Sequence, residues 1–363
     1  MKRKIRMVAY GLGRMGKLGV RYALAKDVEI VGAFDLYSGF IGKDVGSVVG
    51  LEDIGVLVSD GANFKEGIME LKPDIVVATG KSLLRDFFDV FMACAEAGVN
   101  AITIAEELFF PWVSAPQLAE QIDTMAKKTG CTITGSGGQE LCWGSMVDTM
   151  ASSVNVIKRI TGVTTNDIDL YGRAFADEFG IGLTEEAWKA FAKERELSSE
   201  AADELIKNGT FSASYNWNAN AWLCDRLGLD ITNQSQKMIY TLAEEPVYSD
   251  TLGRTIEVGE VCEGAQVVTT ETKQGVVIEA QNVATFHPDG KNDYNHWEIL
   301  SEENTFTLDM PDMPGPELTL ATIINRIPDV INAEPGFVST SRMPTCRYRH
   351  APLNQYVNVP AEE

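Results

Sequence analysis

Two adjacent carboxylates followed by large apolar side chains are the groups in this chain best suited to moving a proton. Glu106 and Glu107 come directly after a predicted strand and precede Leu108, Phe109 and Phe110. Desolvation beside aromatic surface raises the pKa of a carboxylate, which can then accept and return a proton near neutral pH. Successive side chains of an extended segment point to opposite sides, so we expect only one of the two acids to face a reaction centre. Two solvated acids that begin a loop are the alternative interpretation.

A glycine-rich turn near the start of the chain has the pattern of a dinucleotide-binding loop. It follows a predicted strand that ends at Tyr10, and it begins a predicted helix. The first glycine permits a tight turn, the second lets a pyrophosphate approach the backbone, and the third lets the helix pack close to the strand. Asp35 lies 19 residues after the last glycine, where an acid accepts hydrogen bonds from a ribose. The predicted cofactor-binding residues are Gly11, Leu12, Gly13, Arg14, Met15, Gly16 and Asp35.

Two further predicted strand ends carry small residues beside which a cofactor could lie. The segment 78–82 reads Ala-Thr-Gly-Lys-Ser, and we predict Thr79 and Gly80 as cofactor contacts, with an ordinary turn as the alternative. Ala105, at the end of the next strand, is predicted to be a contact as well. Ligands bind at the carboxyl ends of parallel strands, so these positions share one edge of the sheet.

The choice between NAD and NADP stays open on the sequence. The carboxylate of Asp35 repels a 2′-phosphate and favours NAD, whereas Arg14, Ser38 and Lys43 could offset it and bind NADP. We therefore expect both cofactors to be used.

Elements that would position these residues alternate between strand and helix over the first 135 residues. Predicted strands cover 4–10, 29–35, 56–59, 74–79, 100–105 and 131–134, and predicted helices cover 13–25, 64–71, 83–97 and 115–129. A glycine-rich loop is expected from Lys43. The alternation predicts an α/β fold with an N-terminal Rossmann domain, a doubly wound parallel sheet, over residues 1–140. Residues 135–138 are interpreted as the hinge out of this domain.

The pattern changes after about residue 150 and predicts an α+β domain with a mixed or antiparallel sheet over residues 141–315. Predicted strands cover 151–160, 161–171, 266–271, 275–286, 297–300 and 305–308, with helices over 184–207 and 219–227. Ser198 is expected to cap a second helix inside 184–207. Residues 288–290 supply a turn, and residues 311–316 read as a stiff connector. Residues 316–363 are expected to return to the first domain through a helix over 317–327 that stops before Pro328.

Composition excludes several classes of protein. The 363 residues carry a net charge of −21, which argues against nucleic-acid binding because phosphate contacts need positive charge. The sequence contains no run of about 18 apolar residues, so no membrane span is predicted. The six cysteines are scattered without a C-x-x-C pair, which favours reduced thiols and a cytoplasmic protein. His287, His296 and His350 lack the spacing of metal ligands, so no metal site is predicted.

Three segments together resemble the 2,4-diaminopentanoate dehydrogenase group of the dihydrodipicolinate-reductase-like superfamily. They are the glycine turn at 11–16, the run 105–108 that leads to Pro111-Trp112, and the stretch 324–336. The native amine dehydrogenases are similar over essentially the whole length. The resemblance implies a nicotinamide-dependent, reversible reductive amination of a small ketone or aldehyde with ammonia. It also implies a homodimer formed through the sheet of the second domain.

The resemblance assigns roles to single residues as well. It implies that Glu106 is the catalytic acid, with Glu107 as the less favoured candidate, and that Trp143 and Tyr171 line the amine pocket. A pocket of Phe109, Phe110, Trp143, Tyr171 and Phe175 would suit simple ketones and amines. The chain departs from the group at residues 138–140, which read Gly-Gln-Glu in a loop expected to face the substrate.

Alternative functions remain. The chain could be a 2,4-diaminopentanoate dehydrogenase or a dihydrodipicolinate-type reductase, both of which need a cluster that binds a carboxylate. A sensor that binds the cofactor without turnover is the non-enzymatic alternative, because one fold hosts many functions.

Overall fold

The structure is a computed structural model that describes residues 2–286 and 293–358. The chain divides into two compact units, which we call unit 1 (Met1–Leu141 and Pro316–Glu363) and unit 2 (Cys142–Gly315). His287 and the turn predicted at 288–290 lie outside the described residues.

Unit 1 is built on a seven-stranded sheet in which all strand pairs are parallel, in the order β15-β6-β5-β4-β1-β2-β3. Numbered along the whole chain, its strands are β1 (Arg6–Tyr10), β2 (Glu29–Asp35), β3 (Val58–Asp60), β4 (Ile75–Ala78), β5 (Asn100–Thr103), β6 (Thr132–Gly135) and β15 (Gly336–Phe337). Its helices are α1 (Arg14–Ala25), α2 (Val45–Val49), α3 (Phe64–Leu71), α4 (Leu84–Ala97), α5 (Pro116–Thr129) and α12 (Gly315–Ile331). The predicted Rossmann fold is confirmed.

Helix ends in unit 1 follow from residues that the sequence supplies. Gly98 and Gly130 end α4 and α5 with φ angles of +68° and +85°, a left-handed conformation that glycine adopts without steric cost. The central strand β4 is buried at every position, which explains its uninterrupted apolar sequence.

Two expectations for unit 1 were wrong. The loop expected at Lys43 contains helix α2, because the Asp44 carboxylate accepts hydrogen bonds from the backbone N–H groups of Gly46 and Ile54 at 2.7 and 2.9 Å. The late helix does not stop before Pro328 but continues to Ile331. Packing explains this, since Pro328 and Val330 are both buried in the interior of the unit.

Unit 2 contains a six-stranded mixed sheet in the order β14-β13-β7-β12-β11-β8. The strands are β7 (Ile157–Asp167), β8 (Ile231–Leu242), β11 (Val261–Thr272), β12 (Val277–Thr285), β13 (Asp293–Ser301) and β14 (Thr305–Met313), with a separate ribbon of β9 (Val247–Ser249) and β10 (Arg254–Ile256). Only the β7–β12 pair is parallel among the described pairs of this sheet. The helices are α6 (Met146–Ala151), α7 (Ile168–Tyr171), α8 (Arg173–Phe179), α9 (Glu185–Lys193), α10 (Ser199–Asn208) and α11 (Asn216–Leu227).

The sequence located several elements of unit 2 incorrectly. Residues 151–171 form the end of α6, one strand and then α7, instead of two strands. Strand β8 and helix α8 were not predicted at all. The connector expected at 311–316 is partly strand, since β14 runs through Pro311; an edge strand tolerates a residue without an N–H donor. The cap at Ser198 is confirmed, because its hydroxyl accepts a hydrogen bond from the Ala201 N–H at 3.3 Å.

Candidate active site

The glycine turn is held closed by its own backbone. Gly11 has a φ of +84°, and its N–H donates to the Phe34 carbonyl at 2.8 Å, which ties the turn to β2. A Cβ on Gly16 would collide with the Gly11 carbonyl oxygen, so the start of α1 lies against the turn. The first and third glycines are therefore required for packing inside unit 1.

The second glycine has an open side. A Cβ on Gly13 would meet no described atom within 4 Å, and no described side chain caps the N-terminus of α1. The N-terminus of a helix offers N–H groups and a positive dipole end to an anion. The residues present therefore fit the pyrophosphate of a dinucleotide.

Asp35 is fixed at the end of β2 by two backbone donors. Its carboxylate accepts hydrogen bonds from the N–H groups of Leu12 at 2.5 Å and Tyr37 at 2.7 Å. A carboxylate has further lone pairs, so it can also accept from a ribose hydroxyl. The side chains of Arg14, Ser38 and Lys43 are exposed.

The loop after β4 is joined to the glycine turn. The Thr79 N–H donates to the Tyr10 carbonyl at 2.8 Å, and its hydroxyl donates to the Gly11 carbonyl at 3.0 Å. Gly80 follows with a φ of +115° and is exposed. Both predicted contacts therefore lie beside the glycine turn, at the carboxyl edge of neighbouring strands.

Glu107 is built into the framework of unit 1. Its N–H donates to the Ser82 carbonyl at 3.1 Å, and its carboxylate accepts from the Leu84 N–H at 2.5 Å, in the first turn of α4. Burial raises the pKa of Glu107 above its usual value, and the bonds from Leu84 and Ser114 offset part of that rise. This carboxylate caps a helix, so the bonds join the loops after β4 and β5.

Glu106 and Glu107 have different surroundings, but not because they lie on opposite sides of an extended segment. Residues Glu106–Phe109 form a 3₁₀ turn instead of an extended segment, and the turn leaves Glu106 half-buried while Glu107 is buried. Ala105 precedes the turn and is buried, with its N–H donating to the Thr103 hydroxyl at 3.0 Å. Glu106 thus lies at the same sheet edge as the glycine turn with solvent access.

The two phenylalanines after the acids differ in exposure. Phe109 is 1% exposed and belongs to the interior. Phe110 is half-buried and packs edge-on against Trp112, with ring centroids 5.1 Å apart. Phe110 is therefore better placed than Phe109 to touch a ligand.

The predicted pocket residues of unit 2 are oriented by hydrogen bonds. The Trp143 indole N–H donates to the Thr164 hydroxyl at 2.7 Å. The Tyr171 hydroxyl donates to the buried Asp293 carboxylate at 2.9 Å, and the Tyr171 ring lies 5.3 Å from that of Phe175. The structure thus brings Tyr171 and Phe175 together, and Tyr171 remains 42% exposed.

A buried ion pair was missed by sequence reasoning. Glu140 pairs with Arg326 and accepts a hydrogen bond from the Ser136 hydroxyl at 2.5 Å. Burial alone would lower the pKa of Arg326, but Glu140 and Asp329 more than offset this and raise it. Glu140 therefore faces Arg326 within unit 1, and the expectation that this part of the 138–140 loop faces the substrate was wrong. The partners are 186 residues apart, and no local pattern connects them.

The described residues contain no helix long and apolar enough to cross a membrane. Within the same ranges, no group of three or more His, Cys, Asp or Glu side chains is arranged to hold a metal ion.

Comparison with known proteins identifies the family. Residues 142–358, more than half of the chain, match the family described as the 2,4-diaminopentanoate dehydrogenase C-terminal domain. The chain belongs to this family. The predicted membership is confirmed.

Individual relatives agree with this assignment. The chain is 26% identical to the 2,4-diaminopentanoate dehydrogenase of Acetoanaerobium sticklandii over 95% of its length and 94% of the relative's. It is 31% identical to the structure of an amine dehydrogenase from Mycobacterium smegmatis, with a TM-score of 0.81 over 96% of this chain and 98% of the other. A probable dehydrogenase from Thermotoga maritima shares the fold alone, at 11% identity and a TM-score of 0.57 over 92% and 91% of the two chains.

Family membership and these relatives confirm the predicted class, an oxidoreductase of the dehydrogenase type. They also imply a nicotinamide cofactor, which agrees with the open glycine turn.

Proposed function

We propose that this protein is an NAD(P)-dependent amine dehydrogenase that interconverts a small ketone or aldehyde plus ammonia with a primary amine. The observation that carries the proposal is the position of Glu106. It is a half-buried carboxylate on a loop that is hydrogen-bonded, through Glu107 and Thr79, to the loops around the glycine turn. The 31% identity to an amine dehydrogenase over 96% of the chain supports amines as the substrate class.

In this proposal the glycine turn and Asp35 hold the dinucleotide. The N-terminus of α1 binds the pyrophosphate, Asp35 binds the adenosine ribose, and Thr79 with Gly80 borders the nicotinamide end. When bound, the nicotinamide supplies or accepts a hydride. Asp35 favours NAD, and the exposed Arg14, Ser38 and Lys43 can contact a 2′-phosphate, so both cofactors are used.

Glu106 moves the proton. It accepts a proton from ammonium, which frees the nitrogen lone pair for attack on the carbonyl carbon. It then returns this proton to the hemiaminal hydroxyl, which leaves as water, and the regained negative charge of Glu106 stabilises the iminium. Trp143, Tyr171 and Phe175 supply apolar surface for the organic part of the substrate, and hydrogen bonds restrict the orientation of Trp143 and Tyr171.

A second candidate is 2,4-diaminopentanoate dehydrogenase activity. The match of residues 142–358 to that family and the 26% identity to its A. sticklandii member favour it. Such a substrate carries a carboxylate. Arg326 is an unsuitable partner for it, because Glu140 and Asp329 already bind this guanidinium inside unit 1.

A spectrophotometric assay tests the proposal. Purified protein is mixed with NADH or NADPH, then with cyclohexanone, a short aldehyde or 2-amino-4-oxopentanoate, with and without ammonium. Ammonium-dependent oxidation with the simple ketone or aldehyde supports the amine dehydrogenase. Activity confined to 2-amino-4-oxopentanoate supports the second candidate, and oxidation that ignores ammonium contradicts both.

A further inference from the structure

A buried glutamine and a half-buried glutamate form a pair of oxygen acceptors in unit 2. Gln266 lies on β11 and is 4% exposed, and Glu178 lies near the end of α8. The Gln266 amide Nε2 donates to the Glu178 carboxylate at 3.1 Å. A carboxylate only accepts, so the amide must present its NH₂ to Glu178, and its oxygen is left to accept from another donor. Among the described residues, that oxygen has no hydrogen-bond partner.

A second oriented amide lies farther along the same face of β11. The Asn220 Nδ2 on α11 donates to the Val268 carbonyl at 3.3 Å and to the Thr270 hydroxyl at 3.1 Å. A carbonyl only accepts, so this amide is fixed as well, and its Oδ1 finds no partner within the described part of the chain. Gln266, Val268 and Thr270 alternate along β11 and are all buried, so they share one face of the sheet.

Among the residues that the structure describes, no neighbouring cation balances the charge of Glu178. No lysine, arginine or histidine in residues 2–286 or 293–358 forms an ion pair with it within 4.0 Å. A buried carbonyl oxygen without a donor costs free energy, and so does a partly desolvated carboxylate without a counter-ion. A small cation that contacts both groups would offset both costs.

We infer that Glu178 and Gln266 bind one small monovalent cation, and that its occupant is ammonium. The unpartnered Gln266 oxygen is buried, so a cation that reaches it must be small. Ammonium has four N–H donors for the carboxylate and the amide oxygen, and a potassium ion of similar size takes the same oxygen ligands. The choice of ammonium rests on the proposed function, whereas the site itself does not.

The location suits a co-substrate. Phe175 precedes Glu178 by three residues on α8, so the two side chains share one side of the helix. The Phe175 ring also lies 5.3 Å from that of Tyr171. Ammonium held by Glu178 would therefore lie beside the aromatic wall proposed for the amine pocket.

Thermal unfolding tests the site without any turnover. The melting temperature of the full chain is measured against rising ammonium chloride, potassium chloride and tetramethylammonium chloride at equal ionic strength. We expect a saturable rise with ammonium and potassium beyond that with tetramethylammonium, because only the small cations fit. Equal rises with all three salts overturn the inference.

Two variants with matched controls locate the effect. Glu178→Gln removes the charge with little change of shape, and Gln266→Met removes the amide oxygen. Each should weaken the ion-specific effect about tenfold, the loss expected for one hydrogen bond to a charged group. Asp177→Asn, an exposed neighbour on α8, and Gln121→Met, at an exposed position on α5, should leave it unchanged. Full retention in both test variants contradicts the assignment.

Kinetics then distinguish the two ions. If ammonium occupies the site during reductive amination, potassium should compete and raise the KM for ammonium in the wild-type protein but not in Glu178→Gln. A salt-specific melting shift without such competition would instead assign the site to potassium and overturn ammonium as its occupant. Failure of the proposed activity would leave the melting result intact.

Discussion

Glu106 and Glu107 are chemically identical neighbours, and the tertiary structure gives them different surroundings. The 3₁₀ turn after β5 directs the Glu107 carboxylate to the Leu84 N–H at the start of α4 and leaves Glu106 half-buried. A carboxylate that caps a buried helix end must keep its bond for the helix to keep its position. We therefore propose Glu106, not Glu107, as the residue that transfers the proton.

Exchange of each acid for its amide separates these tasks. Glu106→Gln should lower kcat by about 10²–10⁴-fold, the usual contribution of a general acid–base group, and leave the Kd for NADH unchanged. Glu107→Gln should keep substantial turnover, because the amide oxygen can still accept from Leu84. Steady-state rates and a fluorescence titration with NADH measure both effects. A fully active Glu106→Gln would contradict the assignment.

The pKa of Glu107 predicts a dependence of stability on pH. Burial raises this pKa in the folded state above the unfolded value of about 4.3. Between the two values the folded protein binds more protons, so the free energy of unfolding falls as pH rises through this window. Relative to Glu107→Gln, the wild type should lose stability from about pH 4.3 upward until the folded pKa is passed.

Urea unfolding at a series of pH values measures this difference. Asp44→Asn is a control of opposite sign, since hydrogen bonds from Ile54 and other N–H groups lower the pKa of Asp44. Its wild-type side chain contributes stability that is present above about pH 3.9 and lost as pH falls through the folded pKa. If the stability difference changed with pH in the same direction for both variants, burial would not control the pKa of Glu107.

The β1–α1 turn shows how glycines within one element differ in their role. Gly16 is required by packing, because a Cβ would strike the Gly11 carbonyl, whereas Gly13 opens to free space. Gly13 also has a φ of −64°, which any residue can adopt. We therefore propose that packing of the element and binding of the cofactor depend on different glycines.

Alanine at Gly16 and alanine at Gly13 should change different properties, namely stability and cofactor affinity. Gly16→Ala should lower the free energy of unfolding by about 1–3 kcal/mol, as overpacking does. Gly13→Ala should leave the melting temperature unchanged and weaken NADH binding about tenfold, since its methyl group enters the space left for the pyrophosphate. Calorimetry without and with NADH measures both, and a stable Gly16→Ala with normal affinity would contradict the packing argument.

At the scale of the whole molecule, we propose a homodimer formed through the sheet of unit 2. The face opposite to Gln266 carries a half-buried row of cross-strand neighbours, which consists of Val267, Gln281, Val163 and His296. Ile239 on the edge strand β8 is 46% exposed on the same face. A sheet that exposes apolar side chains on one face can bury them against a second copy.

A charge in the centre of this face should separate the two copies. The wild type is expected to sediment at twice the chain mass of 39.7 kDa, and Val163→Arg as a single chain, because burying an unpaired arginine in the interface is costly. Val258→Arg, at a valine that is 61% exposed outside the strands, is the control and should remain dimeric. A monomeric wild type, or a dimeric Val163→Arg, would contradict the proposed interface.

The sequence by itself determined the features that local patterns encode. The spacing of Gly11, Gly13, Gly16 and Asp35, the apolar run of β4, and the glycines after α4 and α5 predicted the Rossmann sheet with its elements nearly in place. These signals depend on backbone conformation and side-chain periodicity within a few residues. Strand β8 was missed because only one side of it is buried and polar glutamines occupy that side.

Only the tertiary structure decided which polar groups meet. Glu107 reaches the start of α4, Glu140 pairs with Arg326 across 186 residues, and Gln266 contacts Glu178 across 88. The burial and pairing of a carboxylate depend on which elements pack around it, and residue type and local spacing carry no record of that packing. The dinucleotide loop could therefore be read from the chain, whereas the difference between the two adjacent glutamates required the fold.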